Sequence, residues 1–306
     1  MNKKPHNVNI LTLDELDSKE INHIIDLAID LKKQQKKDKE KPLLQNKTLA
    51  MIFEKPSTRT RVSFETGMFQ LGGHALTLSP NDLQLSRGES IEDTAKVLSR
   101  YVNVIMARVY DHKSLETLAR YASIPVINGL SDSFHPCQIL ADLMTIKEHK
   151  KNLKKVKVAW IGDGNNVCNS WIHSSLHFDF NFNISCPKGC FPEKKLLKKI
   201  NSKKIRLFEN PFKAVENADV IITDTWISMG MKEDKKRLKK FKNFQINNSL
   251  FKKTNKSTYF LHCLPAHRGY EVTDEIIDGQ KSLVWVEAEN RLYVHQSILL
   301  WCLEGQ

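Results

Sequence analysis

The sequence predicts an α/β protein with two domains, each a parallel sheet flanked by helices. Apolar runs of four to six residues alternate with longer segments whose apolar residues have helical spacing, the pattern of consecutive βα units. The chain has 306 residues, and 41% of them are apolar. That length exceeds one ordinary hydrophobic core of ~150 residues, so we expect two domains, at 1–145 and 146–306.

The first half of the chain predicts helices and strands in alternation. It opens with a helix over 14–33, where apolar residues recur at helical spacing, and continues into a charged surface linker at 36–41. Short apolar runs then predict buried strands, and the periodic segments between them predict helices. We expect strands at 49–53, 102–107 and 124–127, and helices near 60–71, 91–100 and 114–122.

The second half repeats this alternation. The segment 135–149 has helical spacing and is expected to bridge the two domains, and 292–303 is expected to form a closing helix. Between them, apolar runs predict the strands of a second parallel sheet. These strands are expected at 156–161, 183–186, 204–208, 219–223, 259–262 and 283–286.

The chain carries a net charge of +12, which by itself would suit nucleic acid or an anionic membrane surface. The excess lies in Lys-rich patches that are interleaved with Leu, Asp, Glu and Asn rather than with stacking aromatic residues. We interpret these patches as solvated faces and expect no nucleic-acid partner. No apolar stretch approaches the ~18 residues of a transmembrane helix, so we expect no membrane partner either.

Six cysteines are scattered along the chain, and no signal peptide opens it. Both features favour a reducing, cytoplasmic location. Cys186 and Cys190 invite a metal-site interpretation, but neither a His nor a second Cys pair follows at a zinc-like spacing. We therefore expect incidental thiols and no metal.

An anion site is predicted at 57–61, which reads Ser-Thr-Arg-Thr-Arg and follows the strand expected at 49–53. Pro56 disfavours helix before it, and Ser57 is a favourable N-cap, so these residues form the first turn of a helix. Unpaired backbone N–H groups and the positive end of the helix dipole favour a phosphate there. The alternative, that the two arginines are simply solvated, is disfavoured because cations are unfavourable at that end.

Four segments read EKPSTRTR at 54–61, HPCQ at 135–138, DTWISMG at 224–230 and HCLPAHRG at 262–269. Together they resemble the ornithine carbamoyltransferase family, and the resemblance covers nearly the whole chain. It implies transfer of the carbamoyl group of carbamoyl phosphate to the δ-amine of L-ornithine, giving L-citrulline and phosphate without a cofactor. It also implies arginine biosynthesis rather than breakdown, a homotrimer or multiple of trimers, and a closing helix that packs back on the first domain.

The resemblance also implies the residues that bind carbamoyl phosphate. Of these, Arg108, His135 and Cys263 are expected to be catalytic, with His135 donating towards the carbonyl oxygen. The full set is Ser57, Thr58, Arg59, Thr60, Gln84, Arg108, His135, Pro136, Cys137, Gln138, Cys263, Leu264 and Arg291. Gln84 matches a loop that in the family reaches a neighbouring subunit's site, although Ser86 stands where relatives commonly carry Gly.

For the ornithine side, the resemblance implies Asn166, Asp224, Ser228 and Met229. Asp224 is expected to bind the α-ammonium group, and Asn166 the amino-acid end. Cys263 suggests a nucleophile, but its neighbours do not resemble an activated Cys–His pair, so we expect it to position substrate instead.

Each of the four segments follows a predicted strand. Because open α/β sheets bind ligands at the carboxyl ends of their strands, we expect a catalytic cleft between the domains.

Several alternatives remain at this stage. Aspartate carbamoyltransferase shares the phosphate half, but its dicarboxylate acceptor should demand extra cations where this chain has Ser-Met-Gly at 228–230. Putrescine has no amino-acid end for Asp224 and Asn166 to bind, and N-acetylornithine carries an uncharged α-nitrogen that Asp224 opposes.

A non-catalytic anion- or nucleic-acid-binding protein leaves the four segments unexplained. A nicotinamide dehydrogenase is disfavoured because the Gly-Asp-Gly at 162–164 lacks the third glycine of the dinucleotide fingerprint.

Overall fold

A computed structural model of the chain describes residues 8–37, 41–151, 153–200, 202–227 and 234–303. It contains two parallel sheets flanked by helices, which confirms the α/β fold class that the sequence predicts. The chain divides into two compact units, Met1–Met144 with Asn290–Gln306, and Thr145–Glu289.

The first unit is built on a four-stranded sheet. Its strands are β1 (Thr48–Phe53), β2 (His74–Leu78), β3 (Val104–Arg108) and β4 (Val126–Leu130). They lie in the order β2-β1-β3-β4, and each neighbouring pair is parallel. The helices are α1 (Ser18–Gln35), α2 (Thr58–Gln70), α3 (Ile91–Tyr101), α4 (His112–Tyr121) and the first part of α5 (Pro136–Lys150), with a 3-10 turn at Gln84–Arg87.

Burial explains which strands of this sheet the sequence predicts. The central strands β1 and β3 are almost wholly buried, as expected of a sheet covered on both faces, and they read as continuous apolar runs. The edge strand β2 is half exposed and reads His-Ala-Leu-Thr-Leu. Since β2 has no continuous apolar run, its residues do not predict a strand.

The second unit is built on a five-stranded sheet. Its strands are β5 (Lys157–Ile161), β6 (Asn181–Ser185), β7 (Ile205–Phe208), β8 (Val220–Thr223) and β9 (Tyr259–His262). They lie in the order β7-β6-β5-β8-β9, again with parallel pairing. The helices are α6 (Asn166–Ser174), α7 (Lys194–Ile200), α8 (Pro211–Ala214), α9 (Lys235–Phe241), α10 (Asn248–Phe251) and α11 (Asp274–Ile277), with a 3-10 turn at Lys242–Phe244.

The core of the second unit joins its sheet to the segments that follow the strands. Buried residues of β5, β8 and β9 pack in one cluster with Trp226, with Phe241 of α9 and with Val272. Trp226 stacks on Phe241 with ring centroids 5.6 Å apart. This packing anchors the chain directly after β8, where the sequence predicts acceptor-binding residues.

The prediction of a strand at 283–286 is wrong, because these residues lead into the long helix α12 (Val284–Leu303). Leu283 still donates its N–H to the carbonyl of Phe260 at 2.9 Å, but Glu287 then donates to Leu283 in a helical bond. α12 is buried over most of its length. A short apolar run at the start of a buried helix has the same appearance as a buried strand, so periodicity does not separate them.

The closing helix returns to the first unit, as expected. Lys32 of α1 donates from Nζ to Asn290 Oδ1 at 2.6 Å, and Ser297 donates from its hydroxyl to the carbonyl of Ile24 at 2.6 Å. Both bonds are buried, so they fix the register of α12 on α1. Among the helices that the structure describes, none is long and apolar enough to cross a membrane.

Candidate active site

The first unit carries its predicted site residues at a point where the order of its strands changes direction. β2 lies on one side of β1, and β3 and β4 lie on the other. Phe53 at the end of β1 pairs in register with Arg108 at the end of β3. Such a switch point leaves a crevice at the carboxyl ends of two adjacent strands, and Ser57 follows β1 there.

Ser57 is the N-cap of α2. Its backbone is extended, and its hydroxyl accepts the N–H of Thr60 at 3.2 Å. Helix α2 then runs without an acidic residue in its first turn. The predicted helix start is therefore confirmed, and it leaves the positive end of the helix dipole free of a competing carboxylate.

The two arginines of this turn differ in their surroundings. Arg61 is exposed, and its Nε lies 3.0 Å from Glu65 Oε1 in an i,i+4 pair on the outer face of α2. Arg59 is half-buried. The structure thus separates a surface ion pair at Arg61 from the proposed phosphate ligand at Arg59.

Two residues of α12, one helical turn apart, contact the start of α2. Arg291 donates from Nη2 to Thr60 Oγ1 at 2.9 Å, and both residues are buried. One turn later, His295 Nδ1 lies 2.8 Å from the hydroxyl of Ser63, while its ring stacks on Phe64. Ser63 also donates to the carbonyl of Arg59 at 2.6 Å. Arg291 is thereby placed at the predicted phosphate site, and His295 supports it.

Arg108 and His135 are both buried near Arg291. Arg108 is 5% exposed, and His135 is 4% exposed just before α5. Burial holds the pKa of His135 well below its usual range, and the nearby Arg291, Arg108 and His295 lower it further. His135 is therefore neutral at physiological pH, so one ring nitrogen bears a proton and the other does not.

The residues after His135 are held by burial and hydrogen bonds in the protein interior. Pro136 begins α5, where its missing N–H is tolerated. Cys137 is fully buried, its thiol donates to the carbonyl of Asn128 at 3.3 Å, and burial raises its pKa to about 12. Gln138 donates from Nε2 to Asp142 at 2.8 Å. Cys137 is thus a neutral core thiol, and any contact that it makes with substrate would be through its backbone.

Gln84 lies at the start of the 3-10 turn and is exposed on the first unit. The side chain of Ser86 lies outside the described part of the chain. The predicted reach of this loop into a neighbouring subunit therefore stays a prediction.

The second unit also changes strand order, between β5 and β8. Asp224 follows β8, and its carboxylate accepts three hydrogen bonds. Asn165 donates from Nδ2 to Oδ2 at 2.7 Å, the N–H of Thr225 reaches Oδ1 at 2.7 Å, and the Cys263 thiol reaches Oδ1 at 3.1 Å. The ends of β5, β8 and β9 therefore meet at Asp224.

Asn165 was missed by the sequence analysis, which selected its neighbour Asn166. Asn165 is the N-cap of α6 and accepts from Val167 and Cys168 while it donates to Asp224. Asn166 is the first residue of α6, and its side chain accepts the N–H of Val167 at 3.1 Å. The signal for Asn165 was its position as an Asn directly before a helix, which favours an N-cap.

A partly buried ion pair stabilises the same region. Arg237 of α9 donates from Nη2 to Asp163 at 2.5 Å and from Nε to the carbonyl of Trp226 at 2.6 Å. It therefore ties the turn after β5 to the segment after β8. Ser228 and Met229, the remaining predicted acceptor residues, lie outside the described residues.

Asp224, His262 and Cys263 bring three potential metal-ligand atoms within 4.8 Å of one another. The two nitrogens of His262 are already engaged, however, since Nδ1 accepts the N–H of Leu264 at 2.9 Å and Nε2 lies 3.3 Å from Glu271. The ring would have to give up one of these bonds to bind a metal. The arrangement fits a neutral, structural histidine better than a metal ligand.

Two family models together match most of the chain. The carbamoyl-phosphate-binding domain of the aspartate/ornithine carbamoyltransferases matches residues 8–148, and the aspartate/ornithine-binding domain matches residues 154–302. The chain belongs to the aspartate/ornithine carbamoyltransferase family. The first model spans Ser57, Arg108 and His135, and the second spans Asp224 and Cys263.

Individual carbamoyltransferases of this family are similar over nearly their full lengths. The ornithine carbamoyltransferase of Pyrococcus horikoshii is 52% identical over 304 residues, which cover 97% of this chain and 96% of that protein. That of Ruthia magnifica is 49% identical over 296 residues, covering 96% and 99%. The chain is accordingly a carbamoyltransferase.

Solved structures of the family have the same fold. The ornithine carbamoyltransferase from Pyrococcus furiosus superposes with a TM-score of 0.94 at 50% identity, covering 97% of each chain. The anabolic ornithine carbamoyltransferase from Campylobacter jejuni gives a TM-score of 0.91 at 44% identity, covering 97% of this chain and 99% of that one.

Proposed function

We propose that this chain transfers the carbamoyl group of carbamoyl phosphate to the δ-amine of L-ornithine, releasing L-citrulline and phosphate. The observation that carries the choice of acceptor is the carboxylate of Asp224, held at the ends of β5, β8 and β9 by Asn165, Thr225 and Cys263. An anionic centre favours an acceptor that arrives as a cation. The naming of the relatives at about 50% identity as ornithine carbamoyltransferases supports the same choice.

Carbamoyl phosphate presents a dianionic phosphate, and the first turn of α2 suits it. Backbone N–H groups at the helix start, with Ser57, Thr58 and Thr60, offer uncharged donors. Arg59, Arg108 and Arg291 offer guanidinium groups that match phosphate oxygens bidentately. Arg291 is already aimed at the turn by its bond to Thr60.

His135 is suited to the carbamoyl carbonyl because it is neutral. A neutral imidazole donates one hydrogen bond without the desolvation and repulsion that a buried cation would suffer beside Arg291 and Arg108. Attack on the carbonyl produces a tetrahedral oxyanion, and one well-aimed donor there contributes ~3 kcal/mol. We assign this donor role to His135, with Arg108 beside it.

The acceptor must lose a proton before it attacks. The δ-amine of ornithine resembles a lysine amine with a pKa of ~10.4, so supplying its free base near neutral pH costs about 4 kcal/mol. Asp224 is assigned to the α-ammonium group, which leaves the δ-amine to be bound in its neutral form near Cys263 and Leu264. As the C–O bond to phosphate breaks, the leaving phosphate accepts the amine proton, so the step balances without a dedicated side-chain base.

We also propose a homotrimer, supported by an apolar face on the first unit. Val62 and Phe69 lie on one side of α2 with exposures of 54% and 79%. The hydroxyl of Thr77 in β2 donates to Glu65 of α2, so the strand and this helix face are adjacent. An edge strand beside exposed apolar residues is a common contact surface between subunits.

Location and direction are proposals of the same kind. A cytoplasmic location is supported by six free cysteines, since a reducing compartment preserves thiols. Synthesis of citrulline for arginine biosynthesis is supported by relatives that are named anabolic.

The reaction is tested by measuring ureido product from carbamoyl phosphate with L-ornithine, L-aspartate, putrescine and N-acetylornithine in parallel. Citrulline from ornithine, with the other three acceptors at background, is the expected result. Product only from another amine would contradict the roles of Asp224 and Asn166. Absence of product with every acceptor would contradict carbamoyl transfer itself.

A further inference from the structure

The turn that follows β9 holds a leucine in an unusual backbone conformation. Leu264 has φ of +56°, in the left-handed region that a branched, non-glycine residue rarely adopts. Its N–H donates to Nδ1 of the His262 ring at 2.9 Å. The ring therefore offsets the strain of the backbone that separates Cys263 from the rest of the turn.

That bond determines where the proton of His262 resides. Because Nδ1 accepts from Leu264, it bears no proton, and the proton of a neutral ring must be on Nε2. Nε2 lies 3.3 Å from Oε1 of Glu271, and both side chains are fully buried. Glu271 is thus the acceptor that stabilises the Nε2–H tautomer.

Glu271 also contacts a second residue of the same turn. Its Oε1 accepts the backbone N–H of His267 at 2.5 Å in addition to the ring proton of His262. A second buried carboxylate, Glu287 Oε2, accepts the backbone N–H of His262 at 2.9 Å. The start, middle and end of the segment from His262 to Glu271 are therefore fixed by hydrogen bonds to two buried carboxylates.

We propose that Glu271 is a positioning residue for the acceptor half of the site. It fixes His262 as the Nε2–H tautomer, so that Nδ1 holds Leu264 and the Cys263 thiol stays against Asp224. The inference rests on the proposed function, because it takes Asp224, Cys263 and Leu264 as the residues that meet ornithine.

This arrangement excludes a proton relay through His262. A relay needs a ring nitrogen that faces the reacting amine, whereas Nδ1 is engaged by Leu264 and Nε2 points to Glu271. The effect of Glu271 on the reaction therefore passes through backbone position and not through proton transfer.

The first test is the tautomer of His262 in the wild-type protein. The chain is labelled with nitrogen-15 histidine, and the His262 signals are assigned by their loss in His262→Asn. A proton on Nε2 and none on Nδ1 is the expected result, and a proton on Nδ1 would overturn the proposal. This measurement uses no substrate, so its outcome is independent of whether ornithine is the acceptor.

The second test compares Glu271→Ala with the conservative Glu271→Gln. Gln retains a carbonyl oxygen that accepts from His262 and His267, so its effect should be within about threefold, whereas Ala removes the acceptor of both donors, and that of His262 is buried. For Ala we expect kcat/KM for ornithine to fall by about 10- to 100-fold, with the dissociation constant for inorganic phosphate, the ligand proposed for the first turn of α2, unchanged. Equal losses for the two variants, or a matching loss of phosphate affinity, would contradict the role.

A double variant separates positioning from general destabilisation. In His262→Asn, the amide oxygen takes the place of Nδ1 as acceptor for Leu264, and no ring tautomer has to be set. Glu271→Ala should therefore reduce kcat/KM for ornithine several-fold less in the His262→Asn background than in the wild type. The same fold-change in both backgrounds would show that Glu271 acts only on stability, which would overturn the proposal.

Discussion

At the scale of single residues, His135 shows how burial among arginines determines protonation. Burial first, and then Arg291, Arg108 and His295, lower the pKa of His135, and burial also lowers the pKa of His295. Both rings are therefore neutral in the folded protein at the pH where the unfolded chain begins to protonate its histidines, about 6.5.

This difference predicts how stability depends on pH. Below pH ~6.5 the unfolded chain binds protons at these two histidines, whereas the folded chain does not. The free energy of unfolding that they contribute is therefore fully present above that pH and is lost as the pH falls towards the lowered pKa values. The loss is up to about 1.4 kcal/mol per histidine for each pH unit. Thermal unfolding of His135→Asn between about pH 5 and 8 should show a smaller loss than the wild type. The exposed His23→Asn serves as control, and an unchanged slope in His135→Asn would contradict the assignment.

Arg59 and Arg61 offer a matched pair for the phosphate site. Arg59→Ala removes the charge-assisted hydrogen bond that we propose to phosphate, so calorimetry should show carbamoyl phosphate binding weakened by about 10- to 100-fold. Arg61→Ala removes only the exposed pair with Glu65 and should change binding by less than about twofold. Similar losses in the two variants would mean that the helix start attracts anions only through general charge.

Cys263 is expected to position substrate through its contact with Asp224. Cys263→Ala should therefore keep measurable turnover, reduced by about tenfold as expected for one lost hydrogen bond. Acid quench of the wild-type reaction followed by mass spectrometry should find no carbamoyl group on the thiol. A trapped carbamoyl thioester would establish Cys263 as a nucleophile instead.

At the scale of elements, the sequence predicts best where burial makes a strand uniformly apolar. β1, β3, β5 and β8 are central strands and were all expected, whereas the edge strand β2 was missed and the start of α12 was mistaken for a strand. The helix start at Ser57 was predictable because capping is a local interaction. The bond of Asn165 to Asp224 was not predictable, because Asp224 lies 59 positions further along the chain. The bond of Glu271 to His262 was not predictable either, because it depends on how the chain between these residues, which are nine positions apart, folds back.

The exposed face of α2 and β2 carries the prediction about assembly. Phe69→Glu places a charge on the proposed contact surface and should shift the protein to monomers in size-exclusion chromatography with light scattering. The control is Leu207→Glu on β7, an edge strand of the second unit, where the leucine is 48% exposed. A Phe69→Glu protein that remains trimeric, or a wild type that is monomeric, would contradict the proposed surface.

At the scale of the whole molecule, the residues proposed for the two substrates belong to different compact units. The first unit contains the first turn of α2 with Arg108, His135 and Arg291, and the second contains Asp224 and Cys263. Arg291 belongs to the first unit although the match to the aspartate/ornithine-binding model extends to residue 302. The proposed transfer to ornithine uses both sets of residues.

Carbamoyl transfer to ornithine is tested by the affinity of a bisubstrate analogue in which a phosphonate is joined through an acetyl group to the δ-nitrogen of L-ornithine. Calorimetry should show wild-type binding at least 100-fold tighter than that of phosphate or ornithine alone, the lower end expected for a transition-state mimic. Arg59→Ala and Asp224→Asn should each weaken it. An analogue that binds the wild type no tighter than phosphate would contradict carbamoyl transfer to ornithine.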